Sequence, residues 1–117
     1  MTTADIASIN VGIDVGKDRL DVYVRELDTP FSLTNTPQGA KRLAQTLQSD
    51  VIERVVIEAT GRYERHFVEA ASTVGLPVVV ANPLQIRRFA GAIGLLAKTD
   101  ALDARLIAEF GAIVSAN

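Results

Sequence analysis

Four carboxylates in this chain have the types and settings that phosphodiester chemistry needs: Asp14, Glu58, Asp100 and Asp103. Asp14 stands near the end of an alternating run, and Glu58 follows the continuous apolar run Val55-Val56-Ile57. Asp100 and Asp103 come just after Thr99 and lie three residues apart. On a helix that spacing projects both from one face, about 60° apart around the axis. Acids gathered in one place repel and raise each other's pKa values. A hard divalent cation removes the conflict, because Mg²⁺ takes carboxylate and water oxygens and leaves places for phosphate. Two such ions about 3.5–4 Å apart activate a nucleophile and stabilise the leaving oxygen. Each acid also has a plainer role open to it. Asp14 fits an ordinary turn, and acids in a first helical turn favour the macrodipole whatever the function. Only their convergence in space distinguishes a site from four separate acids.

The elements that must position them are legible in the periodicities. Ile9, Val11, Ile13 and Val15 alternate with Asn10, Gly12, Asp14 and Gly16, the period of a strand. A turn at Gly16-Lys17-Asp18 leads into a second alternating run, with Leu20, Val22 and Val24 on one face. Asp28-Thr29-Pro30 reads as a turn and Phe31–Asn35 as a third strand. Thr36 with Pro37 opens a helix whose stripe is Ala40, Leu43, Ala44 and Leu47. The run before Glu58 suits a strand covered on both faces. A helix over about Tyr63–Val74 is stopped by Gly75 and Pro77, and Val78–Ala81 reads as a second buried strand. Asn82-Pro83 starts a helix that loosens at Gly91 and Gly94, and Thr99 caps a last one from Asp100 to about Ser115.

Three strands followed by helix–strand–helix–strand–helix predict an α/β fold of RNase H-like (RuvC-like) type, a mixed five-stranded sheet with flanking helices. The first and fourth strands should be neighbours where connections diverge, the place where open α/β sheets put their chemistry. Asp14 and Glu58 both belong to such strand ends.

With 117 residues and no linker or repeat, the whole of 1–117 reads as one domain. Its 48% hydrophobic and 22% charged content excludes a disordered chain. No apolar run approaches the roughly 18–20 residues of a membrane span. The absence of cysteine removes disulfides and thiolate metal sites and points to a reducing cytoplasm. A formal charge of −2 is modest for a nucleic-acid protein and places most phosphate-binding charge elsewhere. Candidates for local contact with a nucleic-acid backbone or base are Lys17, Arg62, Tyr63, Arg87, Arg88 and Lys98. His66 has no metal-spaced partner and reads as surface or packing.

The segments GIDVGKDRLDVYV (12–24), IEATGRYE (57–64), ANPLQIRRFA (81–90) and KTDALDARLIAEF (98–110) together resemble the N-terminal domain of DEDD transposases of the insertion-sequence 110 type. The KTD-x-x-DA phrase is the most specific of them. Gly16 stands where the family often has Ser, and Leu95-Leu96 where basic residues are common. The resemblance implies that Asp14, Glu58, Asp100 and Asp103 form the acidic tetrad, holding Mg²⁺ (Mn²⁺ as a substitute) for DNA cleavage and strand exchange. It implies DNA and an element-encoded structured guide RNA as partners, and a homo-oligomer. It also implies a C-terminal domain with a catalytic serine, absent from this sequence, and a bacterial cytoplasmic, nucleoid-associated setting.

Two other readings share parts of this pattern. An actin-like or sugar-kinase ATP-binding lobe has the same opening ribbon with a strand-end Asp. It wants a phosphate-gripping Gly-Thr/Ser turn there, whereas Val15-Gly16-Lys17-Asp18 supplies an acid. A non-catalytic RNase H-like interaction module would use Asp100 and Asp103 only as caps. The final helix is apolar on more than one side, with Leu102, Leu106, Phe110 and Ile113 in one stripe and Ile107 and Val114 beside it. The second stripe is expected to meet another domain or protomer.

Overall fold

The computed structural model describes residues 8–94 and 103–114. The strands are β1 (Ile9–Val15), β2 (Arg19–Val24), β3 (Thr29–Thr34), β4 (Ile52–Glu58) and β5 (Val78–Ala81). The helices are α1 (Pro37–Gln48), α2 (Arg65–Val74), α3 (Pro83–Ala92) and α4 (Ala104–Val114). One sheet contains all five strands in the order β3-β2-β1-β4-β5. β1, β2 and β3 pair antiparallel, while β4 and β5 run parallel to β1. The first and fourth strands are therefore neighbours, as the element order predicts.

Side-chain alternation divides the sheet into two faces. Val11, Ile13, Leu20, Val22, Val55 and Ile57 pack in one core with Leu43 and Leu47 of α1 and Phe67 and Ala71 of α2. Val56 and Ala81 face the other way, against Ile86 of α3 and Ile107 and Phe110 of α4, and Tyr23 meets Ala104 and Ala108. Val55, Val56 and Ile57 are all fully buried, which is why β4 reads as an unbroken apolar run. α1 starts as its sequence suggests, with the Thr36 hydroxyl accepting from the Gly39 N–H at 3.0 Å. α2 ends at Gly75 in the left-handed region, φ 76°.

Several boundaries differ from the sequence expectation. β3 begins at Thr29 and not Phe31, because the turn lies earlier, around Asp28 at φ 47°. Pro30 then pairs with Tyr23 inside the strand, tolerated because β3 is a sheet edge. α2 begins at Arg65, later than Tyr63, because Thr60 holds a competing turn. Its Oγ1 accepts from the Tyr63 N–H at 2.8 Å, and the Glu64 carboxylate accepts from the Thr60 N–H at 3.1 Å. β5 is buried only at Ala81 and half-buried at Val78: it is the other edge, with Val79 38% and Val80 45% exposed. The described part of the last helix starts at Ala104, with Asp103 just before it, and Thr99 lies outside the described residues. In the second apolar stripe of α4, Ile107 is covered within this fold. Leu106, Ile107 and Phe110 are all buried, and Ile113 is exposed. Leu102 and the side chain of Val114 lie outside the described residues. No helix among the described residues is long and apolar enough to cross a membrane.

Candidate active site at the strand ends

Asp14 is the penultimate residue of β1 and Glu58 the last of β4. The parallel register runs Gly12↔Val56 and Ile13↔Ile57, so the next step sets Asp14 beside Glu58 on the α3–α4 face. Both side chains are half-buried. α4 brings the third acid. Its backbone lies so close to β1 that a Cβ on Gly12 would stand 2.2 Å from the Ala104 carbonyl oxygen and 2.4 Å from the Ala108 nitrogen. Only glycine permits this approach, and it sets the start of α4, with Asp103, over the end of β1. Gly111 does the same over β4, where a Cβ would stand 2.5 Å from Val56 Cγ2. Arg25 ties β2 to the helix from the side, its Nε 3.0 Å from Glu109 Oε1.

The electrostatics register this crowding. Burial pushes the Asp14 carboxyl above its ordinary range, and the charges of Asp21 and Asp103 push it further, against a smaller pull from Arg19. Glu58 is raised by burial and then by Asp14, with Arg87 opposing. The site thus holds more negative charge than its own cations offset. Asp103 is exposed and has a second task as the helix cap, its Oδ1 accepting from the Leu106 N–H at 2.9 Å. The capping and site roles expected of this residue therefore fall on one carboxylate. It immediately precedes Ala104, the first residue of α4. Asp100 lies outside the described residues.

Asp21 is a further acid at this place, outside the four expected from sequence. In the antiparallel register it sits directly opposite Asp14. Like charges in that relation are destabilising unless compensated. Here Asp21 is held by Arg19 Nε at 2.9 Å and by the Ser32 hydroxyl at 2.6 Å. Its signal was present: Asp21 is out of phase with Leu20 and Val22, which places it on Asp14's face. A groove of about 570 Å³ opens here, walled by Asp14, Asp21, Asp28, Asp103, Tyr23 and Arg105, among others.

A divalent ion suits part of this donor set. Asp14, Glu58 and Asp103 are hard oxygen donors, two of them half-buried with raised affinity for protons, the condition a cation relieves. Among the described residues, no three acidic or histidine side chains stand close enough to hold a metal ion. The remaining coordination places suit water and phosphate oxygens.

The cationic candidates separate into two groups. Lys17, Arg62 and Tyr63 line one pocket on the far side of the β1–β2 turn. On α3, Arg87 is half-buried and its charge reaches Glu58, while Arg88 is exposed. Lys98 lies outside the described residues.

Known proteins resemble this chain at three levels. A family model described as "Transposase", for DEDD transposases of the insertion-sequence 110 type, matches residues 11–115. The pilin gene-inverting protein of Moraxella bovis is 32% identical over 108 residues, and that of Moraxella lacunata is equally similar. These alignments cover 87% of this chain and 34% of each relative, so the chain spans about a third of their length. In three dimensions the chain resembles T. thermophilus RuvC in complex with Holliday junction substrate, with a TM-score of 0.62 and 21% identity. That match covers 93% of this chain and 95% of the other, and it shows the fold to be RuvC-like.

Proposed function

Since the chain belongs to the DEDD transposases of the insertion-sequence 110 type, we propose that it is their RuvC-like catalytic domain, cutting and exchanging DNA strands with Asp14, Glu58, Asp100 and Asp103 as its acids. The observation that carries this reading is the placement of Asp14 and Glu58 at the ends of adjacent parallel strands, with Asp103 at the start of the helix that Gly12 lets down onto β1. Mg²⁺, or Mn²⁺ in its place, would supply Lewis acidity and an activated nucleophile when bound. Asp14, held on a central strand, fixes the position of the scissile phosphate's counter-charge. Glu58 shares that charge from β4, and Arg87 near it limits the repulsion between the two. Asp103 contributes from a capped helix end, a rigid support that keeps its carboxylate from wandering.

DNA as substrate is supported by the relatives, which are named for inverting a pilin gene, and by the RuvC neighbour, whose structure is a complex with Holliday junction substrate. A structured guide RNA, a C-terminal domain with a catalytic serine, a homo-oligomer and a bacterial cytoplasmic, nucleoid-associated setting follow from the family resemblance and complete the proposal. In the full-length protein, Asp14→Asn or Glu58→Gln should lower recombination at least about a thousandfold, equivalent to about 4 kcal/mol of barrier, with circular dichroism unchanged. Mn²⁺ should broaden the amide resonances around positions 14 and 58 in the wild type. Near-normal recombination by either variant would end the assignment.

A further inference from the structure

Across the β1–β2 turn from the acids, the chemistry reverses. Lys17, Arg62, Arg65 and His66 line an opening of about 500 Å³ together with Asn35, Tyr63 and Glu69. The frame of this pocket is fastened by one amide. Asn35, only 8% exposed, donates from Nδ2 to the Gly16 carbonyl at 2.8 Å and to the Tyr63 carbonyl at 2.9 Å. Because both partners are acceptors, the orientation of the amide is determined. Its Oδ1 is left buried with no partner. A buried acceptor in that condition destabilises the chain until something donates to it. The cations are lightly engaged. Lys17 has no ion-pair partner among the described residues, and Arg62 lies over the Tyr63 ring at 5.6 Å. Arg65 pairs with Glu69 at 3.4 Å, but their side chains are 77% and 68% exposed. Such a pair contributes little.

We propose that this pocket seats one backbone phosphate of a nucleic-acid strand, gripped by Lys17, Arg62 and Arg65, and so anchors a strand on which the acids act. The proposal rests on the reading that those acids act on nucleic acid. Three cations around a pinned frame are a marked local excess in a chain of net charge −2. A phosphate outcompetes the weakly held Glu69 for Arg65, since charge-assisted contacts to phosphate are strong and Arg matches them in shape. It also draws Lys17 inward, and an ammonium has three donors, enough for phosphate oxygens and for Asn35 Oδ1. Gly16 follows Asp14 by two residues, and the loop carrying Arg62 begins directly after Glu58. The anchor and the acids are thus built on the same two strand ends. A contact of this kind sets register and carries no sequence information.

The test is fluorescence anisotropy on the full-length protein with a labelled single-stranded DNA oligonucleotide, and with the matching RNA, across a salt series. The Lys17→Gln/Arg62→Gln double variant should bind about tenfold more weakly near 0.1 M salt. Its slope of log K against log salt should fall by about 0.7, one phosphate's share for a single strand. A loss confined to DNA or to RNA identifies which strand supplies the phosphate. In the wild type, the Asn35 side-chain amide resonances should shift on adding oligonucleotide, and in the double variant they should not. Unchanged affinity and slope for both strands would overturn the proposal. Asp14→Asn keeps this binding while losing recombination, so failure of the anchor and failure of the acid assignment give different results.

Discussion

On one face of the sheet, Leu43, Leu47 and Phe67 fill the space beneath α1 and α2 with large apolar side chains. On the other, α4 reaches the strands because side chains are missing, at Gly12 and Gly111 and through the small Ala104 and Ala108. The first arrangement holds helices at side-chain distance and contributes mainly stability. The second lowers a helix backbone onto β1, and the reward is positional: Asp103 arrives above Asp14 and the strand ends stay half-open. The sheet therefore has a face that carries the fold and a face that carries the candidate chemistry. The same division recurs around the β1–β2 turn, with carboxylates on the α4 side and the Lys17–Arg62 pocket on the other.

Breaking each face separately should produce different kinds of damage. Phe67→Ala empties a fully buried site and should destabilise the chain by about 3–5 kcal/mol, with recombination per folded molecule retained. Gly12→Ala inserts one methyl against backbone that has no side chain to move aside. It should release α4, seen as loss of hydrogen-exchange protection over 104–114, and remove recombination even where the rest stays folded. If Gly12→Ala behaved like a mild core change, with α4 protected and activity normal, the distinction between the faces would collapse.

A finer cut separates the two tasks of Asp103. Asn caps a helix about as well as Asp, so Asp103→Asn should leave stability within about 0.5 kcal/mol while recombination falls steeply. Asp103→Ala should lose the activity and about 1 kcal/mol of stability together. Equal melting temperatures for the two variants would remove the capping role.

The smallest effect is the pH dependence of the acid face. Asp14 and Glu58 have folded pKa values above their ordinary 3.8 and 4.5, so the folded chain binds protons more readily there than the unfolded chain. The stability tied to them is present below those ordinary values and is lost as pH rises through the raised ones. At neutral pH both acids therefore weaken the fold. Asp14→Asn should raise stability at pH 7 by no more than about 1 kcal/mol, given the solvent screening of a half-exposed group, and the gain should vanish near pH 3. A gain that persisted in acid would point to packing instead of charge.

The strands and their phases were readable from local pattern, because burial on one face imposes a period of two and burial on both removes it. Ile9–Val15, Leu20–Val24 and Val55–Ile57 owe their form to that rule. The Thr36 and Gly75 helix signals worked because capping is chemistry between near neighbours. Edges were harder. Val78–Ala81 has the composition of an interior strand, and only the strand order makes it an edge. Asp14 and Glu58 could be placed at strand ends from sequence, and their family resemblance gave them a role. What brought them together was the parallel register of β1 with β4. The face of Asp21 was legible from its phase, but its pairing with Asp14, the closeness permitted by Gly12, and the cations gathered around Asn35 belong to tertiary structure. Each joins residues from separate elements, and no periodicity along one segment encodes how near another segment will come.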